Sequence, residues 1–227
     1  MKIYFVRHGH PDYTNDCLTK LGHAQAASVA ERLAALPITR IFSSTKGRAL
    51  QTADYTAKKL GLEVTPCDFM REIGWWSVDG TPIPADGHPW ALADLLASQG
   101  IALTGENWRE REPFCKSVAV KYIKTVTDGL DSLLLCLGYR REGEYYRVVG
   151  EDTDISVAIF SHAGSSSAAM SHLLNIPFPQ FCGTFALELT GVIVIELSNE
   201  QGKLVCPKLI SSDASHLKNK VENVYGD

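Results

Sequence analysis

The chain opens on a short apolar run, Ile3-Tyr4-Phe5-Val6, that ends in Arg7-His8-Gly9. A run of this kind suits a strand buried on both faces. Further strand-like runs, most rich in Ile, Val and Phe, fall at about 40–43, 63–67, 155–161, 184–189, 191–197 and 203–210, with the first spanning about 2–8. Helical patterns alternate with them at both ends of the chain. Thr19 is placed to cap a helix from Lys20 to Leu36, whose Leu21, Ala24, Ala27, Val29 and Leu33 mark an apolar face, and Pro37 stops it. A second helix is predicted from Gly47 to Leu60 with Gly61 as its C′ residue, and a third from about Ser165 to Asn175. This alternation implies an α/β fold, a three-layer α/β/α arrangement around an open, mostly parallel sheet. The runs 184–189 and 191–197 are separated by Thr190 and are expected to reverse at Gly191, adding one antiparallel edge strand.

The middle of the chain, about 74–150, has a different texture. It begins with Gly80, Pro82, Pro84, Gly87 and Pro89, continues with a short helix at Trp90–Ser98 and a long helical pattern from about Pro113 to Leu137, and closes with a polar hairpin at 138–149. We read it as a helical insertion on one domain spanning 1–227. Segments of this kind either roof a site and select substrates or serve as plain packing elements.

With 227 residues, a formal net charge of −4 and 21% charged residues, the chain has the balance of an ordinary soluble protein and not that of a general nucleic-acid binder. Met1-Lys2 leads straight into the first strand with no leader-like apolar region, and no run reaches the eighteen apolar residues of a membrane span. Cys17, Cys67, Cys115, Cys136, Cys182 and Cys206 are scattered, with no C-x-x-C pair. They are expected to be reduced, mostly buried thiols in a cytoplasmic protein.

In an open α/β sheet, ligands bind beyond the carboxyl ends of the strands. His8, the loop from Ser43 to Arg48, and His162 all lie at or just past such ends, and Glu72 follows another by a few residues. Residues far apart in sequence thus converge on one crevice. A guanidinium fork at Arg7 suits phosphate oxygens, an imidazole at His8 can attack or orient a nucleophile, and Gly9 leaves room for a bulky anion.

Four ordered stretches carry a resemblance: Arg7-His8-Gly9; Ser43-Ser44-Thr45-Lys46-Gly47-Arg48-Ala49-Leu50-Gln51-Thr52-Ala53; Met70-Arg71-Glu72-Ile73-Gly74; and Ser161-His162-Ala163-Gly164. Together with the tail Ser212-Asp213-Ala214-Ser215-His216-Leu217, they resemble the histidine phosphatase superfamily, the phosphoglycerate-mutase-like fold. The resemblance covers roughly the first 75 residues and about 155–217, and only loosely the middle.

The resemblance implies a phosphomonoesterase that needs neither metal nor cofactor and acts on a small phosphorylated substrate. His8 would be the nucleophile that forms a phosphohistidine. Arg7, Arg48 and His162 would hold the phosphate oxygens, and Glu72 would be the general acid. Asp68 and Asp79 stand as alternatives to Glu72, because the stretch after Glu72 departs from the family's spacing. Family members often carry Glu directly after the triplet, where this chain has His10, and mutases commonly carry an Asn a few residues on, where it has Thr14 and Asn15. Those departures favour a phosphatase over a sugar-phosphate mutase and leave the part of His10 open. A mutase-type phosphotransferase, a metal hydrolase built on His8-x-His10, and a non-catalytic phospho-ligand-binding module are the competing readings. Trp75, Trp76 and Trp90 are candidates for an apolar pocket wall or for the core.

Overall fold

The computed structural model describes residues 1–105, 107–150 and 155–217. The expected domain extent of 1–227 therefore reaches into 218–227, outside the described residues. In chain order the strands are β1 (Lys2–Arg7), β2 (Pro11–Asp12), β3 (Cys17–Leu18), β4 (Arg40–Ser43), β5 (Val64–Pro66), β6 (Tyr139–Glu142), β7 (Tyr145–Val148), β8 (Ser156–Ser161), β9 (Val192–Glu196), β10 (Leu204–Val205) and β11 (Lys208–Asp213). The α-helices are α1 (Lys20–Ala34), α2 (Gly47–Leu60), α3 (Pro89–Ser98), α4 (Ala119–Cys136), α5 (Ala163–Leu173) and α6 (Phe178–Thr184).

Six strands form the main sheet in the order β11-β9-β1-β8-β4-β5. β1, β8, β4 and β5 run parallel, whereas β9 is antiparallel to both β1 and β11. The alternation of side chains along each strand builds the three layers. Ile3 and Phe5 of β1, Val157 and Ile159 of β8, and Ile193 and Ile195 of β9 face a core shared with α3, α4, α5 and α6. Tyr4 and Val6, Ala158 and Phe160, and Val192 and Val194 face the opposite core, with Val29 and Leu33 of α1 and Ala53 and Ala57 of α2. Each such fully buried large side chain contributes on the order of 1.5–3 kcal/mol.

The caps behave as their chemistry dictates. Thr19 accepts a hydrogen bond from the Gly22 amide at the start of α1. Gly61 closes α2 in the left-handed conformation at φ 66°. The 74–150 segment supplies α3, α4 and the β6–β7 hairpin, which joins β10 in a three-stranded sheet.

Several expectations need correction. Residues 184–189 are not a strand: Phe185, Leu187 and Leu189 do turn inward, but the place beside β1 is taken by β9, leaving no ladder to join. The reversal sits at Thr190, which holds φ 54°, and not at Gly191. The antiparallel strand lies one place in from the edge, because β11 pairs along its outer side. The run 203–210 divides at Pro207, which has no N–H for a ladder, into β10 and β11 of different sheets. Only Cys67 and Cys182 are buried, whereas Cys115, Cys136 and Cys206 are exposed. Among the described residues no helix is long and apolar enough to cross a membrane.

Candidate active site

Strand register brings the site together. Arg7 pairs with Ser161 across β1 and β8, and Ser43 pairs with Phe160 across β4 and β8. His8, Ser44 and His162 each follow directly on a strand end, so three adjacent parallel strands present them to one crevice. The His8 amide donates to Ser161 O at 2.9 Å and the Ser44 amide to Phe160 O at 2.8 Å, which extends the ladder one residue past the strands.

His8 is buried, and its ring is held in one tautomer. Nδ1 lies 2.7 Å from Gly9 O. A carbonyl only accepts, so Nδ1 carries the proton and Nε2 keeps its lone pair. Arg48 Nε donates to that Nε2 from 3.3 Å. Burial, with the Arg7 guanidinium next in importance, holds the His8 pKa well below 6.5, so the ring is neutral.

His162 is fully buried beside it, the two ring centroids 5.1 Å apart. Its Nε2 pairs with Ser44 Oγ at 2.8 Å, and its Nδ1 has no hydrogen-bond partner among the described residues. Burial and then the neighbouring His8 push its pKa well below 6.5. His162 is also the N-cap of α5, so the positive end of that helix dipole lies beside it.

The cations are anchored from behind. Arg7 Nη1 donates to Leu187 O at 2.6 Å. Arg48 Nη1 pairs with Asp16 Oδ1 at 2.5 Å, and its guanidinium lies over the Tyr13 ring, 5.3 Å from the centroid. Asp16 also accepts from the Gly47 amide, so the β2–β3 turn is tied to the start of α2.

Glu72 reaches the same place from the far side. Its Oε1 accepts from the Ser165 amide at 3.1 Å and the Ile73 amide at 3.0 Å. A Cβ on Gly164 would sit 2.6 Å from that oxygen, so the glycine is what lets the carboxyl approach α5. Burial raises the Glu72 pKa above 4.5 against those hydrogen bonds and Arg7. The alternatives lie elsewhere. Asp68 is exposed, bonded to Thr45 and paired with Arg71 at 3.6 Å. Asp79 is exposed and bonded to Thr81 and Ser77, which hold its pKa down to about 2.

Two sequence readings change. A Cβ on Gly9 would meet Gly22 O at 2.7 Å, and one on Gly22 would meet His10 O at 2.2 Å. The glycine allows the close packing of α1 on the triplet. His10 places Nδ1 3.0 Å from Thr19 Oγ1 and donates its amide to Gln25, so it secures the start of α1. His8 and His10 belong to no group of three or more possible metal ligands among the described residues. Ser44, Asp16 and Ser165 are site residues that the sequence reading did not single out. Ser44 and Ser165 stood within or next to stretches already marked, whereas nothing local marks Asp16.

A family model described as the histidine phosphatase superfamily, branch 1, matches residues 3–110. Over that stretch, just under half of the chain, the sequence is similar to the histidine phosphatase superfamily. The probable phosphoglycerate mutase GpmB of Salmonella paratyphi A is 34% identical over 123 residues, 48% of this chain and 57% of that protein. The protein of the same name from Salmonella choleraesuis is 34% identical over 82 residues, 32% and 38% of the two chains. The match thus spans little more than half of these superfamily relatives at most. A mycobacterial glucosyl-3-phosphoglycerate phosphatase shares the fold, with a TM-score of 0.62 and 22% identity over 92% of this chain and 96% of its own. So does a phosphoserine phosphatase from Entamoeba histolytica, solved with 3-phosphoglyceric acid, with a TM-score of 0.59 and 23% identity over 93% and 96%. The three-layer α/β fold is thus shared with these solved structures over 92–93% of this chain.

Proposed function

We propose that this chain is a metal-independent phosphomonoesterase acting through a phosphohistidine on a small phosphorylated substrate. The observation that carries the reading is His8: buried, neutral, with Nδ1 committed to Gly9 O and the Nε2 lone pair facing Arg48. Nε2 attacks phosphorus in line as the bond to the leaving oxygen breaks. Arg7, Arg48, the unpartnered Nδ1 side of His162 and the positive end of the α5 dipole stabilise the equatorial oxygens, where charge spreads in a loose transition state. With Glu72 Oε1 occupied by two amides, Oε2 carries the proton given to the departing alcohol. The resulting carboxylate then takes a proton from the water that attacks the phosphohistidine, which breaks the P–N bond and releases inorganic phosphate.

A mutase-type phosphotransferase shares all of this chemistry, and the 34% identity to GpmB proteins is the observation on its side. It differs in keeping the phosphoenzyme long enough to rephosphorylate a bound intermediate. We read residues 74–150 as an insertion on the same domain, since α3 and α4 share one core with α5 and α6. Turnover of simple phosphomonoesters in excess chelator, lost in His8→Ala and independent of a bisphosphate activator, supports the phosphatase. Dependence on the activator assigns the mutase instead.

A further inference from the structure

Glu72 forms one wall of a cleft of about 340 Å³ whose far side is aromatic. Trp76 and Tyr122 stand there with rings edge to face, centroids 5.9 Å apart, and remain 58% and 37% exposed. The Trp76 ring rests on Gly74, where a Cβ would meet its Cη2 at 2.5 Å. The Trp76 carbonyl accepts from the Val118 amide at 2.9 Å, and Tyr122 follows one turn later, its own amide bonded to Val118 O. Both rings are therefore set on mutually bonded backbone before any ligand arrives. Of the four tryptophans between residues 74 and 150, only Trp76 lines the cleft. Trp75 and Trp90 pack against the core and flank His88.

The charged rim of the cleft holds Lys46 together with Asp68 and Arg71, which pair with each other. Asp68 takes hydrogen bonds and charge from Thr45 and Arg71. Beside these polar groups, Trp76 and Tyr122 offer exposed ring face and ring edge to a ligand.

We propose that this cleft holds the leaving group, and that the preferred substrates are phosphomonoesters whose alcohol carries an aromatic ring. The inference rests on the phosphatase reading. A leaving oxygen protonated by Glu72 must stand beside that carboxyl, and the carbon skeleton attached to it then extends along the wall that Trp76 and Tyr122 make. A ring two or three bonds from the ester oxygen meets the indole offset or edge-on, the arrangements that aromatic pairs favour.

The test compares kcat/KM for 2-phenylethyl phosphate and butyl phosphate, two alkyl esters with similar leaving ability. Wild type is expected to favour the phenylethyl ester about tenfold, the scale of one well-placed aromatic contact. Trp76→Ala should bring the ratio to within about twofold of unity, while Trp76→Phe retains most of it. A ratio near one in wild type, or a ratio that survives in Trp76→Ala, overturns the aromatic preference and leaves the phosphatase reading standing. Absence of turnover on both esters and on an activated aryl phosphate overturns both.

Discussion

Arg48 aims its Nε at the Nε2 of His8 from 3.3 Å, while Asp16 grips the same guanidinium from the other side. One cation thus marks where the lone pair of the imidazole lies and is itself prevented from swinging away. The contact joins β1 to α2 across forty residues of sequence, and the Asp16 turn closes over it.

Replacing Arg48 tests whether that geometry is used. Lysine keeps the charge but loses the planar fork and the anchoring to Asp16. Arg48→Lys is expected to lower kcat/KM by about 10²–10³-fold, the scale of one lost transition-state donor. Asp16→Ala should cost less, since the guanidinium survives without its anchor. Steady-state rates on one phosphomonoester check both, and an unimpaired Arg48→Lys would remove the residue from the site.

Gly164 is a steric gate for Glu72. A methyl group there would crowd Oε1 and Ile73 Cγ1, each at 2.6 Å, and so displace the carboxyl. Gly164→Ala should therefore slow esters of poor leaving groups, by a large part of the about 10²–10⁴-fold that general acid assistance supplies. An activated aryl phosphate, whose weakly basic aryloxide departs without a proton, should lose little. Equal losses on both ester types would take the acid role from Glu72.

The pH dependence of kcat follows from two opposite shifts. His8 must be unprotonated, and burial puts its pKa well below 6.5. Glu72 must be protonated, and burial puts its pKa above 4.5. The rate should rise with pH along an acid limb well below 6.5 and fall along an alkaline limb above 4.5. Glu72→Gln should abolish the alkaline limb and leave the acid one. An acid limb at or above 6.5 contradicts the environment assigned to His8.

The tail after β11 holds the segment after β1 in place. His216 Nε2 pairs with Thr190 Oγ1 at 3.1 Å, and the Thr190 amide reaches Arg7 O at 3.1 Å and His8 O at 3.3 Å. Burial and the neighbouring Arg32 lower the His216 pKa to about 4. Unfolding raises it toward 6.5, so the unfolded chain binds more protons in between, and this contribution to stability is lost as pH falls from about 6.5 to 4. Glu72 acts in the opposite direction, its contribution being lost as pH rises above 4.5. His216→Asn should lower Tm by about 2–4 °C at neutral pH, the loss of about one hydrogen bond. Its Tm should also fall less steeply than that of wild type between pH 6.5 and 4. Parallel curves would show that His216 does not titrate against Thr190.

Much of this was legible in the sequence because it depends on short-range signals. Thr19 marks the start of α1 and Gly61 the end of α2, and strands ending in Arg7, Ser43 and Ser161 mark which strand ends meet at one crevice. What escaped depends on distant partners. In the strand-like run 184–189, Leu187 and Leu189 are buried and Phe185 partly so, but periodicity does not say whether a neighbouring strand has a free edge. Asp16 lies in an ordinary polar turn and acquires its part only by meeting Arg48, thirty-two residues away. Gly9 was visible as a close approach, yet whether it approaches a ligand or a helix is decided by the packing of α1.

The central claim is that His8 Nε2 takes the phosphoryl group. Rapid mixing with a phosphomonoester labelled in its phosphate, followed by quenching within the first turnover, addresses it directly. The account predicts an alkali-stable, acid-labile phosphoenzyme that approaches one phosphate per chain, maps to the peptide bearing His8 and disappears in His8→Ala. A phosphoenzyme that survives acid, or full turnover by His8→Ala, would contradict it.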